Sequence, residues 1–192
     1  MTKDSHIDKE LLGGDDTRNV VDGYKYWKVS AIKADLAKRT FPVQIAIENF
    51  QHDYNIGSIV RSANACNVSA VHIIGKKHWN RRGAMATEKY LHLQQHPTRE
   101  AFLDWYDQKA SSYTLIGVDN VDNSVNLSDA QLPEKSLFVF GQEGPGLSVE
   151  MQRACAYLIA IEQFGSTRSV NVGVAGGIVM YEWLRRNVLT NS

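Results

Sequence analysis

Five short runs of mainly apolar, often β-branched residues recur along this chain. They cover residues 43–50, 68–75, 113–119, 136–141 and 156–163. Helical spacing of apolar residues predicts helices between or after these strands, over 56–66, 99–110 and 172–187. Strands that alternate with helices favour a mainly parallel sheet with helices on both faces. The sequence therefore predicts an α/β fold, and its 192 residues suit one domain with a substantial core.

The fourth strand runs into a loop with three glycines, FGQEGPGLS at 140–148. Glycine permits positive φ and lets backbone groups approach a ligand closely. In open α/β sheets, ligands bind beyond the carboxyl ends of strands. Taken alone, the pattern indicates a binding loop without indicating its ligand.

Two further segments make the pattern more specific. An asparagine opens the helix NIGSIVRSANA, with a glycine two residues on and an arginine six residues on. Close to the chain's end, SVNV leads into a helix rich in small residues. In order and spacing the three segments resemble the signature motifs of the SpoU/TrmH family of SPOUT RNA methyltransferases, over roughly residues 43–187. The residues that carry the resemblance are Asn55, Gly57, Arg61, Gly141, Glu143, Gly146, Ser169, Val170, Asn171 and Val172.

The resemblance implies a fold with a deep C-terminal trefoil knot and an activity that transfers a methyl group from S-adenosylmethionine to a ribose 2′-hydroxyl of RNA. It also implies a homodimer and a reaction without metal. Residues 114–148 look especially like tRNA guanosine-2′-O-methyltransferases that act on the D-loop, which favours tRNA over rRNA. The alternatives are a wobble-position tRNA enzyme, an rRNA enzyme, or a catalytically silent RNA-binding factor on the same fold.

By this resemblance Arg61 is the central catalytic residue. A guanidinium stays protonated in proteins, so a role as general base is physically difficult, and stabilisation of phosphate and alkoxide charge is the favoured interpretation. Glu143 is expected to orient Arg61 or to hold the motif loops, and Asn55, Ser169 and Asn171 are expected to complete a hydrogen-bonding frame. A purely structural interpretation of these four residues is a surface carboxylate and three helix caps.

The resemblance places the cofactor mainly against backbone groups. The residues concerned are Val118, Gly141, Gly146, Ile161, Val170 and Asn171. The apolar ones among them would otherwise be assigned to the core. Two positions depart from the family's usual pattern: Glu162 stands where proline is common, and Val170 where leucine is usual.

The charges are segregated, although the formal net charge is zero. Residues 1–17 hold five acidic residues and two lysines, which predicts a mobile acidic tail. Residues 18–40 are predicted to form a basic helical extension, and residues 41–192 the methyltransferase domain.

The loop KKHWNRR at 76–82 groups four cations around a tryptophan. Because cations attract phosphates and aromatic faces can stack on bases, the candidate RNA-binding residues are Lys25, Lys28, Lys76, Lys77, Trp79, Arg81 and Arg82. The alternative is a solvated helix face and a solubilising loop.

Other features predict the compartment. There is no apolar run as long as a membrane span, so no membrane partner is expected. Cys66 and Cys155 lie outside any CxxC pattern and are interpreted as buried thiols in a reducing, cytoplasmic environment. No metal-ligand spacing is present in the sequence.

Overall fold

In a computed structural model, residues 6–50 and 55–190 can be described. Seven strands are present in this part of the chain: β1 (Phe41–Asn49), β2 (Val68–Gly75), β3 (Leu93–His96), β4 (Thr114–Val118), β5 (Val125–Asn126), β6 (Ser136–Phe140) and β7 (Tyr157–Ala160). Its α-helices are α1 (Val29–Leu36), α2 (Ile56–Ala65), α3 (Arg99–Trp105), α4 (Val149–Ala154) and α5 (Val172–Leu184). A π-helical turn extends α3 over Tyr106–Ala110, and another extends α5 over Arg185–Leu189.

The strands form one parallel sheet in the order β3-β2-β1-β6-β4-β7-β5. β1 lies inside the sheet, where Ala46 is in register with His72 of β2 on one side and Val139 of β6 on the other. Strands buried on both faces read as nearly continuous apolar runs, as β1 and β6 do. The predicted mainly parallel sheet is therefore confirmed. β3 and β5 were not predicted from the sequence, because the β3 segment LQQH is polar and β5 has only two residues.

Helices cover both faces of the sheet, as predicted. α2 and α5 pack on one face, where Ile59, Val60, Val179 and Trp183 belong to a single buried cluster. α3 and α4 pack on the other face, where Phe102 and Met151 belong to a second cluster. The trefoil knot remains an expectation from the family resemblance.

The sequence signals at the two ends of α2 have different outcomes. Asn67 follows the helix with φ +49°, the left-handed conformation expected after the C-cap. Asn55 occupies the N-cap, but its side chain makes no capping hydrogen bond.

Small residues bring α5 close to α2. A Cβ atom added to Gly173 would lie 2.9 Å from the Cβ atom of Ser58, and one added to Gly176 would lie 3.1 Å from Ile59. The glycines therefore cost helix propensity but allow the two helix backbones to approach closely.

The N-terminal segment packs on itself. Residue Ile7 forms an isolated bridge with Trp27, and the Asp16 carboxylate accepts hydrogen bonds from the Arg18 guanidinium and the Tyr26 N–H. These contacts cross the predicted boundary at residue 17, while the first five residues of the predicted tail lie outside the described part of the chain. Helix α1 provides the predicted helical portion of the extension. Across residues 6–50 and 55–190, the helices all lack the combination of length and apolarity that crossing a membrane requires.

Candidate active site

A cleft of about 290 Å³ lies at the carboxyl ends of β4, β6 and β7. The segment 169–172, which leads into α5, forms its remaining wall. All six residues predicted to bind cofactor line this cleft: Val118, Gly141, Gly146, Ile161, Val170 and Asn171. Three predicted catalytic residues line it as well: Glu143, Ser169 and Asn171, the last of which is also in the cofactor set. The cleft thus brings together residues that are distant in the sequence, from the end of β4 to the start of α5.

The glycine loop forms one wall of the cleft in a conformation that side chains would prevent. The backbone groups of Gln142 and Gly146 exchange two hydrogen bonds of 3.0 Å, which closes the loop. A Cβ atom on Gly141 would lie 2.1 Å from the carbonyl carbon of Gly146. Gly144 and Gly146 adopt positive φ values of +93° and +73°. Glycine at 141 therefore allows the loop to fold back on itself, because the Gly146 backbone lies where any side chain would be.

Three predicted catalytic residues form one amide–carboxylate network beside the cleft: Asn55, Glu143 and Asn171. The Asn55 side-chain amide donates to the Glu143 carboxylate at 2.6 Å. The Asn171 amide donates to the Asn55 carbonyl oxygen at 2.8 Å and lies 3.5 Å from the second Glu143 oxygen. The network joins the N-terminal ends of α2 and α5, where helix dipoles favour a negative charge.

Asn171 also caps α5. Its side-chain oxygen accepts hydrogen bonds from the N–H groups of Gly173 and Val174. The predicted cap is therefore present, and the same residue lines the cleft, while its catalytic role stays a prediction. Ser169 lies at the exposed rim of the cleft, and its carbonyl oxygen accepts a bond from the Thr167 hydroxyl.

Arg61 lies elsewhere. It is exposed on α2 and lines a second cleft of about 510 Å³, between α2 and residues 19–39. Among the described residues Arg61 forms no ion pair with Glu143, which contacts Asn55 and Asn171. The two residues line different clefts in this structure, and the orientation of Arg61 by Glu143 stays a prediction.

Glu48 is a buried carboxylate beside the glycine loop that the sequence analysis did not single out. Its carboxylate is fully buried, and it accepts hydrogen bonds from the N–H and hydroxyl of Ser148, at 2.8 and 2.7 Å. It is also paired with the guanidinium of Arg99, which lies 4.1 Å from the Phe50 ring centroid. We call this set the Glu48 clamp; it ties the end of β1 to the end of the glycine loop and to α3. The signal for it was a lone carboxylate within an otherwise apolar strand.

The predicted RNA-binding loop 76–82 lies beside α2. A Cβ atom on Gly57 would lie 3.0 Å from the Asn80 carbonyl oxygen, and the Asn49 amide donates to the carbonyls of Lys76 and His78. Its four cations are exposed: Lys76, Lys77, Arg81 and Arg82.

Trp79 departs from the prediction. Only 9% of it is exposed, it belongs to the core cluster, and the Arg81 guanidinium lies 5.7 Å from its ring centroid. Base stacking on its face is therefore not supported. Lys25 and Lys28 are exposed in the extension, and Lys25 forms an ion pair with Asp22 at 2.8 Å.

Comparison with known proteins places this geometry among RNA-modifying enzymes. The model of the SpoU rRNA Methylase family matches residues 42–181. The chain is 27% identical over 162 residues to a tRNA (guanosine(18)-2′-O)-methyltransferase of Borreliella burgdorferi, covering 83% of this chain and 73% of the relative. It is 28% identical over 158 residues to the 23S rRNA (guanosine-2′-O-)-methyltransferase RlmB of Neisseria meningitidis, covering 78% of this chain and 61% of the relative.

Among solved structures, the fold is similar to that of the SpoU methyltransferase AviRb of Streptomyces viridochromogenes in complex with the cofactor AdoMet. The TM-score is 0.69 at 23% identity, over 81% of this chain and 64% of AviRb. This chain thus spans less than two thirds of RlmB and AviRb and somewhat more of the Borreliella enzyme.

Proposed function

The chain belongs to the SpoU rRNA methylase family, and on that premise we propose that it methylates a ribose 2′-hydroxyl of RNA with S-adenosylmethionine as methyl donor. The observation that carries the proposal is the 290 Å³ cleft, which is lined by all six predicted cofactor residues and bordered by the amide–carboxylate network. The backbone of the glycine loop and the apolar walls from Val118 and Ile161 suit a cofactor with an adenosine moiety.

A bound S-adenosylmethionine would supply a methyl group activated by its positively charged sulfonium. The hydroxyl oxygen would take the methyl group and lose its proton, and the sulfonium would become a neutral thioether. The task left to the protein is to hold the hydroxyl in line and to lower the cost of losing that proton. Asn55 and Asn171 hold the Glu143 carboxylate and the two helix ends in a fixed arrangement beside the cleft. Arg61 retains its proton, so its proposed task is to bind the RNA phosphate and stabilise developing negative charge.

We propose tRNA as the substrate, with a D-loop guanosine as the methylated nucleotide. The resemblance of residues 114–148 to the tRNA enzymes and the coverage of the Borreliella relative support this choice. Similarity to the rRNA enzyme RlmB supports the alternative of an rRNA substrate.

The experiment is methyl transfer from radiolabelled S-adenosylmethionine to total tRNA and to rRNA, followed by mapping of the modified nucleotide. We expect label in tRNA as a 2′-O-methylguanosine. Label found in rRNA and not in tRNA would change the substrate assignment from tRNA to rRNA. If RNA binds but takes no methyl group in the presence of cofactor, the silent RNA-binding factor is the better description.

The enzyme is also proposed to work as a homodimer. α5 presents three exposed apolar side chains in helical register: Val174, 54% exposed, Ile178, 38% exposed, and Tyr181, 60% exposed. A second copy of the chain packed on this face would remove that apolar surface from water. Because α5 begins at the cleft, such a partner would lie beside the site.

A further inference from the structure

The second cleft has the size and lining of a ligand site. It lies between α2 and residues 19–39, a segment we call the extension wall, and its volume is about 510 Å³. Apolar side chains of the extension wall, such as Ile32 and Leu36, line one side, and the rings of Tyr24 and Tyr90 are also present. Ligand pockets typically combine an apolar lining of this kind with a few well-placed polar groups.

The polar groups include two arginines from different walls. Arg61 projects from α2 and is exposed, while Arg39 belongs to the extension wall. Arg39 is held in place: its guanidinium donates to the Tyr24 hydroxyl and lies 5.9 Å from the centre of that ring, and the Asn67 amide bonds its carbonyl oxygen.

One carboxylate is close to this pair. Asp35 lies 3.7 Å from the Arg39 guanidinium, accepts a hydrogen bond from Tyr24, and lies 3.9 Å from the Lys38 ammonium. Asp35 carries one negative charge and contacts Arg39, Lys38 and Tyr24. It therefore does not neutralise the positive charge of the cleft. Arginines are well suited to bind phosphate because their planar N–H groups match its oxygens.

The cleft also lies close to the candidate active site along one rigid element. Asn55 of the amide–carboxylate network occupies the N-cap position of α2, and Arg61 follows six residues later, about 9 Å along the helix axis at 1.5 Å per residue. A polymer chain with one residue at the reaction cleft would have its neighbours within reach of the second cleft.

We propose that this second cleft binds a nucleotide of the substrate RNA adjacent to the methylated one, with its phosphate held between Arg39 and Arg61 and its base against the apolar and tyrosine lining. This inference rests on the proposed function and adds to it a subsite built partly from the chain's own N-terminal extension. Asn64, an amide in the same lining, offers hydrogen bonds to a base edge.

The test compares Arg39→Ala with Lys38→Ala, a neighbouring cation whose side chain is 77% exposed and outside the cleft lining. RNA affinity is measured by fluorescence anisotropy over a range of salt concentrations, and KM for RNA by methyl transfer. We expect Arg39→Ala to weaken RNA binding about tenfold and to reduce the slope of log K against log salt by about one, as for loss of one phosphate contact. Lys38→Ala should stay within about twofold of wild type, and cofactor affinity should be unchanged in both.

A second variant covers the case in which Arg39→Ala disturbs the extension wall. Val21 lines the cleft and is 68% exposed, so Val21→Glu adds a negative charge there without burying it. Val125→Glu, on the edge strand β5, is the matched control because Val125 is 42% exposed. Val21→Glu should raise KM for RNA, and Val125→Glu should not.

Wild-type RNA affinity in both folded cleft variants would overturn the proposal. The proposal would also be overturned if a free nucleoside monophosphate bound at the cleft and RNA binding were unaffected. That result would identify a small-molecule site. Failure of the proposed function looks different: the wild-type protein would bind RNA without methylating it, and the comparison of RNA affinities would still test the cleft.

Discussion

Arg61 is an exposed residue on a helix that is packed along its other side. Ile56, Ile59, Val60 and Ala63 are fully buried, so removing the arginine should change the free energy of unfolding by only ~0.5 kcal/mol. We expect Arg61→Ala to lower kcat/KM for RNA ~10²-fold or more, by analogy with loss of one preorganised electrostatic donor. Arg61→Lys should recover little, since an ammonium does not reproduce the guanidinium's paired N–H groups.

The measurement is methyl transfer at several RNA concentrations, alongside calorimetry with the cofactor and a thermal melt. Lys109→Ala, an exposed cation beyond α3 on the other face of the sheet, serves as control. A wild-type rate of methyl transfer in Arg61→Ala would refute the catalytic role of Arg61. Unfolding of this variant would show that Arg61 is a structural residue.

A buried histidine pair sets a pH dependence of stability. The His72 ring is fully buried and lies 3.0 Å from a ring nitrogen of His96 and 3.0 Å from the Gln44 carbonyl oxygen. Burial and the neighbouring histidine lower the pKa of His72 from 6.5 to about 3. In the window between these values the unfolded chain binds the additional proton, so the folded state loses stability as pH falls, by up to ~1.4 kcal/mol per pH unit.

We therefore expect the melting temperature of the wild-type protein to fall from pH 7 to pH 5 more steeply than that of His72→Gln. His78→Gln, which changes an exposed histidine outside the buried pair, should keep the wild-type slope. Parallel curves for the wild-type protein and His72→Gln would show that this ring does not control the dependence.

At the scale of single elements, the Glu48 clamp predicts that the end of β1 supports the glycine loop. Glu48→Gln replaces a charged acceptor with an amide that donates towards Arg99 or Ser148, so the free energy of unfolding should fall by about 1–3 kcal/mol. If the clamp also positions the loop, cofactor affinity should drop severalfold in protein that is still folded. Calorimetry with S-adenosylmethionine at a temperature well below the melt separates the two effects.

Glu100→Gln is the matched control, since Glu100 is exposed and adjacent to the clamp's arginine. A destabilised Glu48→Gln protein that binds cofactor with wild-type affinity would limit the clamp to a role in stability.

Sequence patterns predicted the elements that have strong periodicity or special backbone residues. β1, β2, β4, β6 and β7 and the ends of α2 follow from apolar runs and from Asn67. Periodicity could not predict which side chains would meet: the burial of Trp79 and the separation of Arg61 from Glu143 depend on how distant segments pack. The cofactor residues came from motif resemblance, because backbone contacts leave little trace in side-chain chemistry.

At the scale of the whole molecule, the exposed face of α5 predicts a dimer that dissociates when charge is placed there. Ile178→Glu with Tyr181→Glu should give a monomer by sedimentation and lose methyl transfer, while the chain remains folded. Leu12→Glu changes a similarly exposed apolar residue of the extension, 59% exposed, and should leave the mass unchanged. A wild-type protein that is monomeric and active at micromolar concentration would disprove the dimer.

The site depends on contacts between residues that are made at very different times during synthesis. The bonds from Asn55 to Glu143, from Ser148 to Glu48 and from Asn171 to Asn55 span 88, 100 and 116 residues. β1 can pair with β2 early, but its other edge stays open until β6 leaves the ribosome. A nascent chain therefore carries an apolar strand edge that could pair wrongly with another chain. Because closing such long loops slows folding, we expect the ability to bind cofactor to return only in the slowest refolding phase.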